Sequence, residues 1–196
     1  MGVWVAGGWC VGALLTLFYR TKNLGVQPLF SKPAGDAHAG IRYAFIQGMA
    51  PQAKESVRMN PFSYLAGMVY HTGLLAAFGL LLGSLVGLRL SKVLGVMALA
   101  GALAGLALLG KRALKAHLRG LSCPDDFVSN LLATGFAALA GGVSFWPSLA
   151  PWWQGEAVLL LLYAPLGKIR HCLFFFPTRR HFGAFFGRRG VLPPAV

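Results

Sequence analysis

Charge is what this chain has least of. Asp, Glu, Lys and Arg make up only 12% of its 196 residues, about half the ~25% that a water-soluble domain carries. Acids are the scarcest, five against 18 Lys and Arg, while 56% of the residues are hydrophobic. With a mean hydropathy of +0.62, such a chain cannot cover a water-facing surface, and a lipid-facing one is expected instead. Cysteine is nearly absent too. Cys10, Cys123 and Cys172 are odd in number and scattered, and no CxxC or CxxCH occurs, which excludes a disulfide framework, thiolate metal clusters and covalently held c-type haem. The sequence also lacks a nucleotide-binding glycine fingerprint and any Ser/His/Asp or Cys/His arrangement, so it carries no self-contained catalytic domain. No basic residue precedes the first apolar run, since Arg20 follows it. A cleavable signal peptide needs a positive start, so the run reads as a retained helix.

Five apolar runs remain, at about 2–19, 62–88, 93–110, 127–146 and 157–176. Each is close to the ~20 residues that cross a bilayer as a helix. The expected fold is all-α: one domain, 1–196, built as an integral membrane bundle of five transmembrane helices. Glycines recur inside the runs, among them Gly79, Gly83, Gly95, Gly101 and Gly105. In lipid they let helices approach closely.

The net charge of +13 does not point to nucleic acid, because the basic residues fall in short clusters between apolar runs. All but Arg89 and Lys92 of the 18 lie at 20–58, at 111–119 or from 168 onward. Basic loops stay on the cytoplasmic side, which predicts an outside N-terminus and an inside C-terminus. The Trp-rich stretch from Trp146 to Trp153 then marks the outer interface. The long inner loop, about 20–60, contains IRYAFIQGMAPQAKESVRMN, read as an interfacial helix or partner-docking segment. An inner tail follows at 177–196.

Of five histidines, His38 and His117 sit in basic loops and read as surface residues. His71 lies deep in the apolar MVYHTGLLAAFGLLL, where an ionisable side chain is costly and marks a functional position. It stands ~15 Å along its helix from Pro61, and His171 stands ~9 Å from Pro177 at 1.5 Å per residue. Both are expected in the inner half of the membrane, where two imidazoles could take both axial positions of one haem. The competing readings are two unrelated histidines bonded to carbonyls, and His181 in place of His171. Lys168, one turn before His171 in PLGKIRHC, could pair with a haem propionate, with Arg58 and Arg170 as further candidates. Positive-inside anchoring explains those cations equally well.

The segment YAPLGKIRHCLFFFPTRRHFGAFFGRRGVLPP resembles the last helix and tail of the respiratory nitrate reductase gamma subunit family, with relatives in the Dsr, Hmc and Tmc redox complexes. The similarity extends to GMVYHTGLLAAFGLLLG and to the five-span layout, and covers about fifty residues by motif. The resemblance implies a b-type haem on His71 and His171. Full members hold a second, outer haem, but the positions for its ligands are Leu81 and Trp153 here, which implies a single-haem variant. It also implies an electron-transfer subunit, non-catalytic or quinone-reactive, of a hetero-oligomeric complex in a bacterial or archaeal cytoplasmic membrane. Electrons would pass between quinone and a cytoplasmic iron–sulfur subunit, with other membrane subunits alongside. The family's quinol site lies by the missing haem, so a quinone site is expected near Arg58 to Tyr64 or Lys168, or on the outer side near Lys92 or Glu156. The alternatives are a haem-free structural anchor and a transporter or channel subunit, for which Ser84, Ser129, Asn130 and Thr134 are the few intramembrane polar groups.

Overall fold

A computed structural model describes residues 1–22, 24 and 32–193. Parts of the expected inner loop (23 and 25–31) and of the tail (194–196) lie outside the described residues. Nine α-helices form, with no strand among the described residues: α1 Gly2–Thr21, α2 Ala37–Phe45, α3 Glu55–Met59, α4 Pro61–Leu85, α5 Lys92–Leu114, α6 Ala116–Gly120, α7 Pro124–Val143, α8 Ala150–Tyr163 and α9 His171–Arg188. Helices α1, α4, α5 and α7 are each long and apolar enough to cross a membrane, and α8 and α9 make a broken pair that raises the number to five if counted as one span.

That break is where the structure departs from the expected fifth span. The sequence reading ran one helix from 157 to 176 and stopped it at Pro177. Instead α8 ends at Tyr163, and α9 runs through Pro177 to Arg188. Pro165 lacks an N–H and its ring crowds the carbonyl one turn back. The turn is closed by the amides of Leu166 and Gly167 on the Tyr163 carbonyl, at 2.9 and 3.0 Å. Gly167 is required here: a Cβ would stand 2.4 Å from the Tyr163 ring and 2.8 Å from an Asp125 oxygen.

The chain divides into two compact units, Met1–Val11 with Pro61–Ile169, and Gly12–Asn60 with Arg170–Val196. In the first, α4, α5, α7 and α8 pack through small residues. A Cβ on Gly73 would come within 2.5 Å of the Gly101 Cα, and one on Gly105 within 2.4 Å of the Thr134 hydroxyl. Ala77, Ala98, Ala137, Ala140 and Ala157 are buried in the same core, around Phe136, Trp153 and Leu160. The large aliphatic residues Leu75, Leu82, Leu103, Leu131 and Leu159 face outward. Small residues within and bulky apolar ones without are the pattern of helices associating in lipid. Helix α4 ends with Gly87 at φ +76°. The Leu88 amide bonds the Gly83 carbonyl at 2.9 Å and the Gly87 amide that of Ser84 at 3.2 Å, a left-handed cap that glycine adopts without strain.

In the second unit α2 lies on α9. Asp36 opens α2, its carboxylate accepting from the amides of His38 and Ala39 at 2.8 and 3.2 Å, as an N-cap does. A Cβ on Gly40 would meet the Gly183 carbonyl at 2.2 Å and the Gly187 Cα at 2.5 Å. The amides of Ala34 and Gly35 bond the Arg188 carbonyl at 2.8 and 3.1 Å. At the far end of α2, Arg179 donates from Nε to the Ala44 carbonyl and from Nη2 to the Gly48 carbonyl, both at 2.8 Å. Those carbonyls lie where a helix end leaves acceptors without backbone partners. The interfacial helix expected within IRYAFIQGMAPQAKESVRMN is replaced by the end of α2, two 3₁₀ turns and the short α3.

Candidate functional site

His71 sits on the exposed side of α4, in the first unit. Its Nδ1 is 2.7 Å from the Gly67 carbonyl one turn earlier. A carbonyl can only accept, so this bond places the proton on Nδ1 and leaves the Nε2 lone pair available. Metal-ligating histidines commonly have this arrangement, which fixes the ring and raises the basicity of the ligating nitrogen. Gly67 lies on the same face, and a Cβ added there would meet nothing within 4 Å. The surface beside His71 therefore has room for a flat group to lie against the helix. In these two respects the position fits an axial haem ligand.

His171 is the first residue of α9 and is exposed, in the second unit. It follows the break rather than lying within a continuous fifth span. Arg170, beside it, is the exposed N-cap of α9. Arg58 is exposed in α3. His181 lies nearly three turns further along α9, its ring 6.2 Å from that of Phe185. His38 begins α2 and His117 is exposed in α6, as surface residues.

Lys168 belongs to a cluster that the sequence reading did not find. Its Nζ bonds Asp126 Oδ2 at 2.7 Å. Arg112 Nη1 stands 3.5 Å from the other oxygen of Asp126, and the Cys123 amide donates to Asp126 at 3.0 Å. The neighbouring Asp125 accepts from the Tyr163 hydroxyl and from Ser129 Oγ, the latter at 2.8 Å. Lys111 at the end of α5 bonds Ser63 at the start of α4. These contacts tie the ends of α4 and α5, the start of α7 and the turn after α8 together on one end of the first unit. The signal was in the composition. Two of only five acids are adjacent at 125–126, and acids that scarce at a helix start have partners to find.

The two positions that the family resemblance assigns to an outer haem, Leu81 and Trp153, are 3% and 2% exposed in one packed core. The Trp153 ring stacks on Phe136 at 6.5 Å, and Phe136 lies 4.9 Å from Phe78. Trp153 Nε1 is buried without a hydrogen-bond partner. Glu156, one turn further, is half-buried with Gly135 of α7 against its carboxylate, a Cβ there standing 3.1 Å from Oε1. Tyr70, Thr134 and Asn130 form a buried polar group. The Tyr70 hydroxyl donates to the Asn130 carbonyl at 3.2 Å, and Thr134 lies 3.0 Å from Tyr70 and 3.1 Å from the Asn130 amide oxygen. It joins α4 to α7 through three hydrogen bonds, as a packing device does.

The chain matches no protein-family model, and neither the curated proteins nor the solved structures give a match. What the geometry establishes is an all-helical, multi-pass membrane protein with lipid-facing helices.

Proposed function

We propose that this chain is a haem b-containing membrane subunit of a respiratory redox complex, a single-haem variant similar to the nitrate reductase gamma family. It moves electrons between the quinone pool and an iron–sulfur partner on the cytoplasmic face. The observation that carries the reading is the His71 ring, exposed on α4 within an apolar stretch and held through Nδ1 by the Gly67 carbonyl. A costly side chain oriented in this way calls for a ligand.

His71 and His171 would hold the haem. Held by these two imidazoles, a haem would supply a one-electron carrier. His71 keeps its proton on Nδ1 and offers Nε2, and the bond to Gly67 stops the ring from turning. Arg58 and Arg170 offer cations for the propionates. The ammonium of Lys168 is already shared with Asp126, which makes it the weaker of the propionate candidates. The buried Leu81, Trp153 and Phe136 favour one haem over two, since side chains fill that part of the core. The clustering of basic residues at those ends supports a cytoplasmic docking face for the partner, in keeping with the bacterial or archaeal cytoplasmic membrane that the resemblance implies.

Purified protein should show Soret and alpha bands, and His71→Ala and His171→Ala should each abolish them. Bands that persist in either variant reject that pairing. A preparation that never shows them is a haem-free anchor.

A further inference from the structure

The second unit contains a cleft of about 300 Å³ between the end of α1 and the middle of α9. We infer that it binds the phosphate headgroup of an anionic phospholipid, with the start of an acyl chain along its apolar end. Phe18 and Thr21 of α1 line it together with Lys22 and Leu24 just beyond that helix, and from α9 Phe174, Pro177, Thr178 and His181 do. Spacings of three and four put each helical set on one helix face, so two ordered stripes face each other.

The two stripes share a gradient. Phe18, Phe174 and Pro177 are half-buried, whereas Lys22, Thr178 and His181 are exposed, with the apolar Leu24 exposed beside them. The cleft thus runs from an apolar end to a polar mouth where the first span meets water. The mouth is rich in donors: the Lys22 ammonium, the Thr178 hydroxyl and the His181 ring N–H. Lys22 is steadied there by the Tyr19 face, 4.9 Å from its Nζ. The Thr21 hydroxyl proton is used within α1, on the Leu17 carbonyl at 2.8 Å, so it adds only acceptor capacity. No acidic residue is among the described residues that line the cleft. Donors and a fixed positive charge above an apolar slot suit an anionic amphiphile. A neutral quinone would gain nothing from the Lys22 charge.

The test uses full-length protein in detergent, equilibrated with vesicles of phosphatidylglycerol and phosphatidylcholine in equal parts, with retained lipid counted by native mass spectrometry. Wild type should keep phosphatidylglycerol selectively. Lys22→Gln should lower that selectivity about fivefold, as expected for one interfacial cation, and Lys22→Gln/His181→Gln should lower it further, with the haem bands unchanged. Wild type that shows no preference for the anionic lipid overturns the inference, whatever the variants do. Equal retention in wild type and the double variant overturns it, as does quinone retained in place of phospholipid. Loss of the haem bands on His181→Gln alone would make His181 an iron ligand and overturn it too. Failure of the haem proposal itself, with no bands in wild type, leaves the lipid readout intact.

Discussion

In the first unit α4 and α5 touch at Gly73 and Gly101; in the second α2 and α9 touch at Gly40, Gly183 and Gly187. Both contacts bring backbone against backbone, yet their surroundings differ. Around Gly73 the contacts are with Gly101 and the Met97 carbonyl, and α4 carries no charged residue. Around Gly183 the helix reads HCLFFFPTRRHFGAFFGR, and the contact is reinforced by Arg179 on two carbonyls. Glycine costs a helix ~1 kcal/mol relative to alanine where water can reach the backbone. In hydrocarbon the intrahelical bonds have no competitor. At the Gly73 crossing the first unit can therefore rest on close packing, with its charged contacts gathered at one end around Asp126, whereas the second unit sets charge-assisted bonds beside the crossing itself.

The sharpest way to break this contrast is to add a side chain at each crossing. Gly73→Val and Gly40→Val both drive methyl groups into backbone, which cannot move aside as a flexible side chain can. Each should cost at least the upper end of the ~1–3 kcal/mol seen for overpacked sites. Gly73→Val should lower the melting temperature of the bulk helical signal by far-ultraviolet circular dichroism. Gly40→Val should leave that melt in place and expose residues 34–45 to protease. A common loss of both signals in either variant would show that the two units fold as one.

Arg179 offers the next largest effect. Arg179→Ala removes two charge-assisted hydrogen bonds, each worth about 1.5–3 kcal/mol, and should release α2 to proteolysis with α9 still helical. Arg179→Lys should rescue it only in part, because an ammonium cannot present the planar fork that reaches both carbonyls. The counterpart in the first unit is Asp126→Asn, which loses the Lys168 and Arg112 charges but can keep accepting from the Cys123 amide. Its drop in thermal stability should be smaller than that of Arg179→Ala. A larger drop would mean that the polar end of the first unit matters as much as its small-residue core.

The same contrast explains what could be read from the residues. Spans α1, α4, α5 and α7 were legible because twenty apolar residues without charge have one stable home. The fifth was not: apolar length carries across Pro165 and Gly167, and which of Pro165 and Pro177 breaks the helix depends on the Tyr163 and Asp125 contacts at Gly167. Helix α2 and its pairing with α9 left no hydrophobic run to find, only glycines spaced by four among arginines. His71 was visible as a lone imidazole in an apolar stretch. Gly67 is one helical turn away, but that the ring bonds its carbonyl through Nδ1 required coordinates. The partnership of Lys168 with Asp126 joins positions 42 apart in the chain, which local spacing cannot foresee.

The smallest expected effect concerns Trp153, the buried indole with an unpartnered N–H. Trp153→Phe removes that donor and also some ring volume. A buried unsatisfied group costs about 1–3 kcal/mol, whereas lost contacts and a residual void cost in proportion to the cavity. The two terms oppose each other, so the melting temperature should stay within a few degrees of wild type. Trp153→Ala has no such offset and should cost about 3–5 kcal/mol. The pair measures whether the first unit's core rests on packing alone. If Trp153→Phe proves as damaging as Trp153→Ala, the indole N–H has a partner after all, and the core around Phe136 contains a polar contact beyond that of Tyr70 and Thr134.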